Sequence, residues 1–224
     1  MKKKELVTDL VFHILIVLST VIAVVLFFYS GPDALGSTGV GCFKYFTTDS
    51  NVLMALASLV YIFFETGMLR EPGKKMPGWV LTLRFAGTVS VAVTLLTVVF
   101  FLAPVSCMQG GLRNFLFFFE GNTFALHLST PLLAIVSFLF FSGKEKISFA
   151  KSLWNLTPTV VYSVVYLILV VFVKIWYDWY GFTFGGHNEL APVSMLAMYL
   201  VTLGISEALR RIRARIAKKK GKLK

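Results

Sequence analysis

The chain has 224 residues, of which 57% are hydrophobic and only 15% charged, and its mean hydropathy is +0.77. A soluble domain of this size carries fewer apolar and more charged residues, so a water-soluble globular enzyme is excluded. The formal net charge of +11 invites a nucleic-acid partner, but the basic residues lie at the ends of apolar runs, where they read as membrane topology, and no nucleic acid is expected.

Six apolar stretches fill the chain, at about 10–29, 50–68, 79–105, 115–141, 153–176 and 190–209. A helix needs about 20 residues to cross about 30 Å of hydrocarbon. The runs are continuously apolar rather than alternating, which argues against a β-barrel. The expected fold is all-α: a polytopic membrane protein of six transmembrane helices, forming one domain over 1–224 with a basic tail at 210–224.

Lys2, Lys3 and Lys4 precede the first stretch. This resembles a signal peptide, but the run is long and no small-residue cleavage site follows, so an uncleaved first span is expected. Asp9 and His13 are spaced i, i+4 and share a helix face. The segment 31–41 is rich in glycine and reads as a loop. Cys42 follows, with Cys107 in the second loop on the same side, and a disulfide between them is a candidate.

Phe43-Lys-Tyr-Phe-Thr-Thr-Asp-Ser-Asn51 leads into the second span. Thr47 or Thr48 is a candidate helix cap. Asp49 and Asn51 carry the polar run further into the membrane than capping requires. Glu65, Arg84 and Glu207 lie at one membrane level, and a buried ion-pair layer that holds the helices together is expected. Pro72-Gly73 and Met76-Pro77-Gly78 mark turns.

The fourth stretch is chemically unusual. It reads Asn114-Phe-Leu-Phe-Phe-Phe-Glu-Gly-Asn-Thr-Phe-Ala-Leu-His-Leu-Ser-Thr-Pro131. On one continuous helix, Glu120, Thr123 and His127 share a face, and Pro131 frees the carbonyl of His127. Asn155-Leu-Thr157 matches a glycosylation pattern but falls on the side expected to be cytoplasmic. Asp178, His187 and Glu189 match no standard metal spacing, and no metal or cofactor is expected.

With these spans, 19 of the 22 lysines and arginines fall on one side; Lys44, Arg113 and Lys174 fall on the other. The positive-inside rule then places both termini in the cytoplasm, in a membrane expected to be the bacterial inner membrane. The basic tail is expected to touch anionic lipid.

The residues suggest a chemistry. A threonine becomes a nucleophile when a neighbour such as histidine takes its proton. Glu120 or Asp49 is a candidate to orient the imidazole, and Asn51 or Asn122 to hydrogen-bond an oxyanion. Lys44-Tyr-Phe-Thr47 and Leu126-His-Leu-Ser-Thr-Pro131 resemble the threonine and histidine motifs of the androgen-induced and androgen-dependent integral membrane hydrolases. Tyr45-Phe-Thr-Thr-Asp-Ser-Asn51 is similar to a motif of related bacterial six-span proteins. Val160–Tyr166 and Trp179-Tyr-Gly-Phe182 fit the same family pattern. The resemblance implies hydrolysis of fatty acid esters of hydroxy fatty acids, with Thr47 as nucleophile and His127 as base; the doublet leaves Thr48 as the alternative nucleophile. Asp49, Asn51, Glu120, Asn122 and Thr123 are supporting candidates. Membrane lipid and a lipid or fatty-acyl substrate are the expected partners. Two other readings stand beside this one: a six-span substrate-binding subunit of a small-molecule importer, and a structural membrane protein whose polar residues only lock helices.

Overall fold

The computed structural model describes residues 3–29, 39–71, 73–141 and 146–221. Most of the glycine-rich segment, Pro72, and the lysines at 2, 144, 222 and 224 lie outside the described residues.

Among the described residues the chain is helical, with no strand. Six helices are long and apolar enough to cross a membrane: α1 (Lys3–Tyr29), α2 (Phe46–Arg70), α3 (Gly78–Gly110), α5 (Gly121–Phe141), α6 (Phe149–Phe172) and α7 (Asn188–Lys219). A short helix, α4 (Leu112–Phe117), lies between α3 and α5. Helices are the natural solution for these runs, because lipid offers the backbone no hydrogen-bond partner. Large apolar side chains such as Leu18, Ile22, Phe63 and Val201 point outward, as lipid permits.

The helices alternate in direction, so the start of α1 and the end of α7 meet at one end of the bundle. There Phe12 packs on Phe141, and Lys220 donates to the carbonyl of Phe140. This is the basic end. The opposite, aromatic end carries Tyr45, Tyr166, Trp176, Trp179, Tyr180 and Phe182, whose rings pack on one another.

α1, α2, α3 and α5 form the centre of the bundle. Ile16, Met54, Val91 and Ala134 pack as one buried cluster, and Phe85 stacks on Phe138 at 4.8 Å between centroids. Gly87 lets α2 and α3 approach closely: a Cβ there would meet Met54 Sδ at 3.0 Å and Met54 Cα at 3.1 Å. Small residues at such crossings let membrane helices gain packing that the hydrophobic effect cannot supply between them.

The observed spans differ from the expected ones in ways that matter. α2 begins at Phe46, so Thr47, Thr48 and Asp49 lie in its first turn. The capping position is Tyr45, with extended backbone and no side-chain cap, so neither threonine caps the helix. The fourth stretch is interrupted. α4 ends at Phe117, Glu120 is extended, and Gly121 adopts φ +54° to open α5. The fifth span ends at Phe172, which leaves Trp176 in a loop. The basic tail continues α7 as helix to Lys219.

Candidate functional site

Two polar regions occupy the bundle, one at each end. At the basic end, Arg84 is fully buried and donates both terminal nitrogens to Asp9, at 2.8 Å each. Ser137 bridges the pair: it accepts from Arg84 at 2.6 Å and donates to Asp9 at 2.6 Å. The Tyr61 ring lies 4.3 Å from the Arg84 guanidinium carbon and stacks on His13. His13 Nδ1 lies 3.0 Å from Ser58 Oγ. His13, Ser58, Tyr61 and Ser137, from three helices, thus surround one buried bidentate ion pair.

The expected layer of Glu65, Arg84 and Glu207 is only partly present. Glu207 pairs along its own helix with Arg210 at 2.7 Å and Arg211 at 3.4 Å, because α7 carries its own basic residues one turn on. Asp9 takes the place of Glu207 as the partner of Arg84. Asn155 is fully buried and donates to Ser206, so its glycosylation pattern is inaccessible.

At the aromatic end, a cavity opens between α2, α3, α6, α7 and the loop 173–187. Six hydroxyl residues line it: Thr47, Thr94, Thr97, Thr159, Tyr162 and Tyr180. Phe46, Val93, Val98, Leu102, Phe182 and Met198 complete the wall. Thr94 is occupied by Ser50 at 2.9 Å. Tyr162 donates to the Lys44 carbonyl, and Tyr180 accepts from the Phe46 amide. The Thr159 hydroxyl is buried with no partner. Burial pushes the Tyr180 phenol up to about 12, so it stays neutral at ordinary pH.

The loop that closes this cavity is built on Asp178. Its carboxylate accepts from the Tyr166 hydroxyl, the Phe182 amide, and both the amide and hydroxyl of Thr183, at 2.6–2.9 Å. Burial alone would raise its carboxyl, but these donors outweigh burial and hold it below the usual carboxylate range. Lys44 lies 5.1 Å over the rings of both Tyr45 and Trp179.

The residues expected to act together divide between different surroundings. Thr47 is half-buried on the cavity wall. Thr48 points about 100° away round the helix, is fully buried, and has an unpartnered hydroxyl. His127 is buried in a π-helical turn, Ala125–Ser129, and is not on the cavity wall. Among the described residues no hydrogen bond joins it to Thr47 or Thr48. The wide turn suits Pro131, which cannot donate to the His127 carbonyl as a regular helix would require.

His127 Nδ1 lies 2.7 Å from the Phe118 carbonyl. A carbonyl only accepts, so Nδ1 carries the proton and the neutral ring has its lone pair at Nε2. The interruption between α4 and α5 is what presents that carbonyl. The orienting group is therefore backbone, not Glu120 or Asp49. Glu120 is exposed, and Thr123 donates to the carbonyls of Glu120 and Phe117. Glu120 does not share a helical face with His127, because α5 begins only after it. Asn122, in the first turn of α5, is half-buried, and Asp49 is half-buried in the first turn of α2. Asn51 donates to the carbonyls of Thr47 at 2.7 Å and Leu126 at 2.9 Å. One N–H is committed within α2 and the other joins α2 to α5, so neither is free for an oxyanion.

Cys42 and Cys107 are free thiols rather than a disulfide. Cys42 is fully buried in the short turn Gly39–Lys44, and Cys107 is half-buried near the end of α3. Burial pushes the Cys42 thiol up.

Sequence reasoning overlooked the cavity's far wall. Thr159, Tyr162, Ser163 and Tyr166 recur at i, i+3, i+4 and i+7 in an otherwise apolar span, a polar stripe that marks an inward face. Ser58 and Ser137 carried no signal, since single serines are common in membrane helices.

Fold and sites define an integral, multi-pass α-helical membrane protein. No protein-family model, no curated protein and no solved structure matches the chain.

Proposed function

We propose that the protein takes a lipid-derived, fatty-acyl-bearing molecule into the Thr47 cavity. The observation that carries this reading is the buried Thr159 hydroxyl, unpartnered on a wall whose exposed surface is otherwise almost wholly apolar. The space itself is about 20 Å³, room for one water, so α6 and the loop 173–187 must part to admit a guest. A charged group would find no countercharge there. A wholly apolar guest would leave a buried hydroxyl unsatisfied, at a cost of about 1–3 kcal/mol. An acyl ester offers acceptors to the hydroxyls and a chain to the rest. The test is thermal unfolding of the purified protein with fatty-acyl esters, including esters of hydroxy fatty acids. The midpoint should rise with ester concentration, and Thr159→Leu should weaken that effect at least tenfold. A midpoint indifferent to every ester would sink the proposal.

Hydrolysis of that ester is the second reading. It is favoured by the Nε2 lone pair of His127 and by the resemblance of the Thr47 and His127 segments to the membrane hydrolases. Thr47 is then the nucleophile, since it faces the cavity, with Thr48 as the alternative. Turnover requires the first turn of α2 and the π-helical turn of α5 to bring hydroxyl and imidazole within about 3 Å. Ester hydrolysis in nanodiscs, with Thr47→Ala, Thr48→Ala and His127→Ala beside the parent, tests this. Loss in His127→Ala and in one threonine variant supports a hydrolase. A parent that binds ester without cleaving it points to a binding subunit. The charge distribution supports an inner-membrane placement with the basic end cytoplasmic, which thiol labelling of single cysteines placed at either end would check.

A further inference from the structure

Glu65 is wholly buried in the basic-end cluster, and no N–H or O–H of another residue donates to either of its carboxylate oxygens. Its one polar neighbour in hydrogen-bond reach is the Asp9 carboxylate, with which it pairs only by sharing a proton or a cation. His13 Nε2 is also buried without a hydrogen-bond partner; the nearest Asp9 oxygen is 3.9 Å away. Arg84 makes no hydrogen bond to Glu65: its terminal nitrogens turn to Asp9 and Ser137, and its Nε is also buried without a partner. One donor atom from each of Asp9, His13 and Glu65 lies within 4.8 Å of the others.

We propose that Asp9, His13 and Glu65 form a binding site for one divalent transition-metal ion of the zinc or manganese kind. Two carboxylates and an imidazole are a donor set for such ions, whereas sodium, magnesium and calcium prefer oxygen alone. Metal–ligand bonds of about 2 Å set ligand separations of ~3–4 Å, so side-chain rotation closes the site. The supporting contacts are in place. Ser58 can accept from Nδ1–H of His13, which leaves Nε2 as the ligand, and Arg84 and Ser137 hold Asp9 as outer partners do in metal sites. A proton on Glu65 would cancel one charge but leave His13 Nε2 unpartnered, while an ion satisfies both side chains together. Asp9 and Arg84 neutralise each other, so the ion meets the charge of Glu65. The Tyr61 ring face carries the Arg84 guanidinium at 4.3 Å, which helps to offset the net positive charge that remains in the cluster. The site joins α1 to α2.

The test uses the full chain, purified without a histidine tag and stripped with chelator. After dialysis against micromolar Zn²⁺, the parent should retain about one ion per chain, and its unfolding midpoint should rise. Co²⁺ should give visible d–d absorption, with nitrogen and oxygen ligands by X-ray absorption. Glu65→Gln and His13→Gln should weaken binding at least tenfold. Glu71→Gln, at a surface carboxylate paired with Lys74, should leave it unchanged. A parent that retains no metal overturns the proposal. So does a midpoint that follows pH but not metal, which would mean that a proton resides among Glu65, Asp9, His13, Tyr61 and Arg84. Metal retained undiminished in Glu65→Gln also overturns it. Should the variants fail to fold, the ligand signature of Co²⁺ in the parent decides: sulfur ligation or no imidazole would refute the site.

Discussion

The two ends of the bundle handle buried polarity in opposite ways. At the basic end, Asp9, Arg84, Ser137, Tyr61, His13 and Ser58 contact one another tightly, with Asp9 and Arg84 matched across helices and Glu65 left without a donor. At the aromatic end, hydroxyls line a space that no side chain fills, and the charged residues nearby belong to the loop or the rim. Charge buried in lipid must find a partner, so the first region has little freedom to vary. Neutral hydroxyls cost far less to leave partly open, so the second can hold a guest. The difference teaches that the basic end suits a charged guest that completes a fixed cluster, and the aromatic end a neutral one.

The largest effect should come from breaking the ion pair. Arg84→Met leaves Asp9 charged and unpaired, and should destabilise the protein by about 3–5 kcal/mol, read as a lower unfolding midpoint in detergent. Replacing Asp9 and Arg84 together by apolar residues should recover most of that loss; no recovery would show that the pair is not the unit of stability. Next, Gly87→Ala pushes a methyl against Met54 and should cost about 1–3 kcal/mol. An unchanged midpoint would show that α2 and α3 are free to separate.

At the aromatic end the effects should be smaller. Asp178→Asn weakens four accepted hydrogen bonds and should cost about 1–2 kcal/mol, with faster proteolysis of the 173–187 loop. Because the Asp178 carboxyl is held below its ordinary value, its contribution is fully present above about pH 4. It is lost as pH falls through the lower folded value, and Asp178→Asn should remove that acid-range dependence. The smallest effect belongs to Glu120→Gln. The residue is exposed, so stability should stay within about 0.5 kcal/mol and any ester turnover should be unaffected. A large loss of turnover would restore the carboxylate as the group that orients His127.

Much of this was legible in the chain. Six apolar runs about the length of a bilayer determine six helices, since lipid permits little else. The i, i+4 spacing of Asp9 and His13, the isolated Arg84 and the polar Thr47–Asn51 run each marked a region that the fold uses. Less legible were the partners. Asp9 and Arg84 are 75 residues apart, and nothing in the spacing ranks Asp9 above Glu65 or Glu207 as the partner; packing does. The interruption at Glu120-Gly121 was hidden by the apolar residues around it. Hydropathy cannot distinguish a continuous helix from two helices joined by a turn.

By itself, then, the sequence determined the solvent, the number of spans and which side chains had to be satisfied inside them, because those follow from the cost of placing polar groups in hydrocarbon. Only the tertiary structure decided which groups satisfy which. It gave Asp9 to Arg84 and the Phe118 carbonyl to His127, placed Thr47 on the cavity wall and left Glu65 without a donor beside Asp9 and His13. Those choices depend on helix rotation and on a break in one span, and a turn of about 100° per residue separates neighbours in sequence onto different faces.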